Sequence, residues 1–144
     1  MPQAEHTITI GRPADDVFDY LADGMNNPRW RPGVLDIERT SHDVGVGATY
    51  RQTMRGPGGR KIAGDYRVTV YDRPRTLAFE VIAGPARPTG VFELTPVDTD
   101  TTSVTFRLAV RPTGLMRLMS PMIAKQMRAE TAQLDNLKTQ LDTL

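Results

Sequence analysis

Apolar positions follow two rhythms along this chain, and the change falls just after Val110. Residues 5–10 (EHTITI) alternate polar and apolar, with Ile8 and Ile10 on one face, the pattern of a half-buried strand. Gly11-Arg12-Pro13 ends it, and Pro13 suits the first turn of a helix. Val17, Phe18, Tyr20 and Leu21 then recur at helical spacing among Asp15, Asp16 and Asp19, whose charges complement the positive end of a helix. Gly24 stops this helix, and Asn26-Asn27-Pro28 starts a second short turn that ends at Trp30-Arg31-Pro32. From Val34 to Val110 six segments read as strands: VLDIERTS, ATYRQTMR, KIAGDYRVTVYD, TLAFEVIA, TGVFELTP and TSVTFRLAV. The Gly-, Pro- and Asp-rich gaps between them are too short for parallel crossovers, so neighbours should pair antiparallel. With the first strand, the pattern predicts seven.

After Arg111-Pro112-Thr113-Gly114 the period lengthens. Leu115, Leu118/Met119, Met122/Ile123, Met127, Leu134, Leu137 and Leu141 trace an apolar stripe, with Lys125, Arg128, Asp135, Lys138 and Asp142 largely off it. Ser120-Pro121 supplies a cap and a first-turn proline, so one long helix is predicted from there, with residues 115–119 as a preceding turn or kinked extension. The 24 residues from Pro121 would span about 36 Å. It is the one predicted helix long enough to cover a face of the sheet. A curved sheet wrapped on a single helix need not close tightly everywhere, so an internal cavity is the expected consequence.

Composition adds boundaries to this picture. A chain of 144 residues is sized for one domain, taken as residues 1–144, and can bury a core without staples. At 39% hydrophobic and 24% charged it fits an ordinary globular domain and excludes collagen-like and disordered classes. A net charge of +1 gives no global field for nucleic acid or an anionic membrane. The chain has no cysteine, which removes disulfides, thiolate catalysis and Cys-ligated zinc and fits a reducing compartment. The N-terminus, MPQAEHTITIGRP, lacks the basic and apolar regions of a signal peptide, and no apolar run approaches a membrane span. The expectation is a cytoplasmic protein.

The strings ITIGRPADDVFDYLAD, NNPRWRPGVLDIE, VGVGATYR, YDRPRTLAFEV, FELTPVDTDTTSVTFRLAV and LDNLKTQL occur in an order that resembles the START-like, helix-grip (SRPBCC) superfamily. The closest resemblance is to its polyketide cyclase/dehydrase branch, and it covers nearly the whole chain. The resemblance implies an α+β fold: a seven-stranded curved antiparallel sheet around a long C-terminal helix, with two short helices after the first strand. It also implies a hydrophobic small-molecule ligand, lipid or polyketide-like, and, if the chain is an enzyme, aldol-type cyclisation or dehydration. A non-enzymatic carrier or sensor and a protein-interaction module stand as alternatives. A homodimer is compatible with all three.

Candidate chemistry is sparse. His6 lies at the start of the first strand and His42 in a turn-rich stretch; both read as surface residues, and two isolated histidines do not make a metal site. Neither a metal nor a cofactor is expected. GPGG at 56–59 lacks the context of a phosphate loop and reads as a flexible hairpin beside the cavity mouth. Trp30, between Arg29 and Arg31, either lines or gates the pocket or anchors the short helices to the sheet. Four methionines, Met116, Met119, Met122 and Met127, cluster near the start of the final helix with Ile123. Methionine adapts to variable apolar partners, so they mark a pocket or else ordinary core. By alternation Tyr50 shares a face with Gln52 and Met54, Phe79 with Leu77 and Val81, and Phe92 with Leu94, and these faces read as inward. Tyr50, Gln52 or Arg31 could polarise a ligand carbonyl. Otherwise the predicted interior holds few acids or bases, which favours binding or positioning over strong acid–base catalysis.

Overall fold

A computed structural model describes residues 3–84, 87–111, 117–118 and 120–143. The first strand, β1 (Gln3–Ile10), keeps its alternation, with Ile8 and Ile10 buried. Pro13 stands one place before helix α1 (Ala14–Ala22), whose Val17, Phe18 and Leu21 are buried while Asp15 and Asp16 occupy the first turn. A 3₁₀ turn at Gly24–Asn26 follows, capped by the Asp23 carboxylate, which accepts the Met25 N–H at 3.1 Å. It runs into the one-turn helix α2 (Asn27–Trp30).

The strands are β2 (Val34–Arg39), β3 (Thr49–Arg55), β4 (Lys61–Ala63), β5 (Tyr66–Asp72), β6 (Thr76–Val81), β7 (Thr89–Asp98) and β8 (Thr101–Ala109). Seven of them form one curled path in the order β1-β8-β7-β6-β5-β3-β2, and every pairing along it is antiparallel. The seven-stranded helix-grip sheet is therefore present. The segment read as one strand, KIAGDYRVTVYD, is two: β4 pairs with β3 off the main path, and the chain turns at Gly64-Asp65 before β5. The turn is held on both sides by Gln52. Its carbonyl accepts the Gly64 N–H at 2.7 Å, and its own N–H donates to the Asp65 carboxylate at 3.2 Å.

The C-terminal helix is also two pieces, α3 (Ser120–Ala132) and α4 (Leu134–Asp142), where one was expected. At Gln133 the ladder tightens to three-residue hydrogen bonds, Gln133 N–H to the Glu130 carbonyl and Asn136 N–H to the Gln133 carbonyl. The Asn136 carboxamide donates to the Trp30 carbonyl at 3.1 Å and so ties α4 to the end of α2. Ile123, Met127, Leu134, Leu137 and Leu141 form the buried stripe. Leu118 is exposed and Met122 is half-exposed, so of the Met122/Ile123 pair it is Ile123 that faces inward. Leu115, Met116 and Met119 lie outside the described residues.

Between helix and sheet sits an aromatic core. Phe92 and Phe106 stack at 4.3 Å, and Trp30 meets both edge-on at about 6 Å. Among the described residues no helix is long and apolar enough to cross a membrane. Leu137 is fully buried on the stripe, so Leu137→Ala should cost roughly 2–5 kcal/mol in denaturant titration; a loss below about 0.5 kcal/mol would mean that the site collapses around the change.

Candidate functional site

A cavity of about 110 Å³ lies between α3 and the strands beneath it. The helix contributes Ile123, Gln126, Met127 and Glu130; β3 and β4 contribute Gln52, Met54 and Ile62; Phe79 and Leu108 form the floor. The wall reaches the surface at the exposed Arg55 and Arg87. Spacing on α3 explains the helical side: 123, 127 and 130 follow the three-and-four rhythm that keeps residues on one face. Gly64 makes room on the sheet side, where a Cβ would overlap the Met54 side chain.

Most of the wall is apolar, and its polar part is organised around one ion pair. Arg31, the residue after α2, reaches Glu130 at 3.0 Å, and both side chains are more than nine-tenths buried. The guanidinium also lies 5.7 Å from the ring centres of Trp30 and Phe106. Gln126 donates to the other Glu130 oxygen at 3.3 Å and to the Arg55 carbonyl at 3.2 Å. The Arg31 Nε–H is buried and has no partner among the described residues.

A second polar cluster stands behind the first. The Asn27 carboxamide donates to Gln52 Oε1 at 3.1 Å and to the Tyr66 hydroxyl at 3.0 Å, while Gln52 Nε2 donates to the Gly64 carbonyl. Tyr50 stacks on Tyr66 at 4.9 Å; its hydroxyl accepts the Gly24 N–H and donates to the Ala22 carbonyl. A Cβ at position 24 would overlap the Tyr66 hydroxyl, so this close approach requires glycine. Burial pushes the Tyr66 phenol well above the ordinary tyrosine range; the neighbouring Tyr50 adds to this and the Asn27 hydrogen bond opposes it. Tyr50 is raised too, chiefly by burial. Both phenols are neutral at physiological pH. Among the described residues no group of three or more His, Asp or Glu could hold a metal ion.

Of the residues singled out from sequence, Gln52, Phe79, Ile123 and Met127 line the cavity. Phe92, with Phe79 and Arg31, borders a separate void of about 20 Å³. Tyr50 belongs to the buried cluster behind the wall. Two expectations are corrected. Trp30 does not stand at a mouth: it is 1% exposed, packed under Phe92 and Phe106, and anchors α2 to the sheet. Met122 is 50% exposed and does not line the cavity, because the helical face turns Ile123 inward instead. Met116 and Met119 lie outside the described residues. The interior is also more charged than expected, since Arg31 and Glu130 are both buried. Glu130 had a legible signal: it occupies the stripe position between Met127 and Leu134, where an apolar residue belongs. His6 lies at the surface, where its Nε2 is 2.8 Å from the exposed Asp135 on α4. His42 is exposed.

Removing one member of a buried ion pair strands the other. Glu130→Ala should therefore destabilise by about 3–5 kcal/mol, whereas the paired replacement Arg31→Met/Glu130→Leu should be close to neutral or stabilising. Thermal and denaturant melts of both variants check this; equal losses in the two would show that packing, not charge, governs the position.

Residues 1–142 match the family described as polyketide cyclase / dehydrase and lipid transport. No curated protein matches the chain. Among solved structures, a protein of Thermus thermophilus superposes with a TM-score of 0.81 at 18% identity, covering 97% of each chain. A START superfamily protein from Mycobacterium smegmatis gives 0.80 at 15% identity, over 98% of this chain and 97% of that one. The Zhui aromatase/cyclase from Streptomyces sp. R1128 gives 0.80 at 19% identity, over 97% and 93%. These likenesses establish the START-like fold, and the match along residues 1–142 places the chain in the polyketide cyclase / dehydrase and lipid transport family.

Proposed function

We propose that the protein binds an apolar, ring-containing small molecule in the cavity beneath α3, with Arg31 as its polar contact. The observation that carries this reading is the pairing of an apolar wall with a buried guanidinium that keeps an unpaired N–H among the described residues. Binding sites for small molecules are built this way, mostly apolar with a few placed polar groups that fix orientation. Volume narrows the ligand: about 110 Å³ is of the same order as the roughly 150 Å³ apolar cavity that admits benzene. A single ring with a short substituent suits that space better than a long acyl chain, although lipid transport is within the family's description.

Turnover, where it occurs, is of the cyclase or dehydrase type. The cavity would hold a reactive carbonyl compound folded against Phe79 and Met127, with Arg31 polarising the carbonyl oxygen. Orientation in a dry site then supplies most of the effect. A carrier role needs the same binding step without the chemistry, and native mass spectrometry of the purified protein, searching for a retained small molecule, addresses both.

The test is ligand-dependent stabilisation. Toluene at about 100 times its dissociation constant should raise stability by about 2.7 kcal/mol, read as a higher melting temperature. Met127→Trp should abolish the toluene-dependent shift by filling the cavity, whatever its own overpacking costs. Met122→Trp, on the exposed side of the same helix, should leave the shift intact. Absence of any shift in the parent protein, or its persistence in Met127→Trp, would remove the cavity as the binding site.

A further inference from the structure

The cavity wall carries two opposite charges, and the guanidinium of the pair has more donors than Glu130 uses. We propose that the cavity selects neutral, ring-sized molecules bearing a hydrogen-bond-accepting carbonyl and rejects carboxylates of the same size, with Glu130 enforcing the choice; the proposal rests on the cavity being the ligand site.

The donor is counted first. A guanidinium carries five N–H donors in a fixed fork. Arg31 uses one on Glu130 and lines the cavity, and its other N–H groups, the buried Nε–H included, have no partner among the described residues. A buried donor left unpaired is unfavourable, and a ligand oxygen that accepts from it relieves that cost. The two glutamines of the wall, buried Gln52 and half-buried Gln126, are already committed. Gln52 accepts from Asn27 and donates to the Gly64 carbonyl, and Gln126 donates to the Arg55 carbonyl and to Glu130. Arg31 is thus the group through which the cavity can reward an acceptor.

Charge is counted next. Any carboxylate would seek the guanidinium, but Glu130 already neutralises it at 3.0 Å. A ligand carboxylate at Arg31 becomes a second anion on one cation, in a compartment where two carboxylates repel and neither is well hydrated. A neutral carbonyl takes the same hydrogen bond without adding charge. Arg55 and Arg87 at the rim are exposed, and exposed cations in water attract an anion only weakly. They do not offset the repulsion inside.

The experiment compares three probes of matched shape at neutral pH: acetophenone, benzoate, and α-methylstyrene, in which a methylene replaces the ketone oxygen. Dissociation constants come from protein-observed NMR titration. The parent should bind acetophenone about tenfold tighter than α-methylstyrene, the value of one satisfied buried donor, and should bind benzoate weakest. In Glu130→Gln the order of the two oxygen ligands should reverse, benzoate gaining on acetophenone by well over about tenfold because the guanidinium is no longer neutralised. Circular dichroism establishes whether that variant is folded. Should it not fold, Arg31→Met/Glu130→Leu serves instead, and there acetophenone should fall to the affinity of α-methylstyrene. Benzoate binding the parent as tightly as acetophenone, or an unchanged ratio in Glu130→Gln, overturns the selection. If α-methylstyrene binds and the ketone binds no tighter, the selection fails while the cavity reading stands. If none of the three binds, the cavity reading itself fails and the selection with it.

Discussion

Arg31 and Glu130 meet across 99 residues of chain, and that meeting ties the first half of the terminal helix to the segment that follows α2. A buried ion pair is weak evidence for stability, because desolvation can cancel the attraction. What such a pair can add is a preference for one register. An apolar stripe can slide or rotate by a turn against an apolar sheet at modest cost, but among the described residues Glu130 pairs with one cation, Arg31. Once that pair forms, Ile123 and Met127 are committed to the cavity and Leu134 and Leu137 to the aromatic core. The Asn136–Trp30 bond fixes the same helix to the same short segment from the other side of the break.

The Asn27–Trp30 helix is small for the number of contacts it organises. Its first residue joins Gln52 to Tyr66, its last residue fills the space under Phe92 and Phe106, and the residue after it carries the guanidinium. Strands β3, β5, β7 and β8 and both halves of the terminal helix are thereby referenced to one short stretch of chain. Glycine at position 24 lets this segment approach the Tyr50–Tyr66 stack closely enough to do so.

The strand segments, their faces and the terminal stripe were legible because they are periodic, and periodicity follows from backbone geometry alone; the β1–β8 pairing was not, since it joins the first and last strands of the chain. Phe79, Phe92, Gln52 and Met127 are placed inward by that rule and are buried. The methionine cluster misleads at Met122, since composition gives a neighbourhood but not a helical azimuth. Trp30 is ambiguous in sequence because one large residue between two arginines is compatible with either a core or a mouth; which applies depends on what α2 packs against, a tertiary fact. Glu130 breaks the apolar rhythm, yet its sequence neighbours do not say why. A charged residue inside such a stripe is the local trace of a distant partner, and the partner's position is set only when the chain folds. Gly64-Asp65 did carry a turn signal inside the strand pattern, whereas the split at Gln133 has no breaker and consists of a local tightening of the helix ladder.

The division of the terminal helix at Gln133 has an evolutionary corollary. Both halves pack on β1; the half from Leu134 onward also leans on α2 and fills the core with Leu134, Leu137 and Leu141, while the half before it walls the cavity with Ile123, Gln126, Met127 and Glu130. On the proposed reading, substitutions on the cavity face of the first half act on ligand fit as well as on packing, since Ile123 and Met127 are also core residues, whereas those in the second half act on packing alone. On that reading, lineages descended from such a chain can diverge in ligand while conserving their architecture, and the position of the break marks where drift in specificity gives way to constraint.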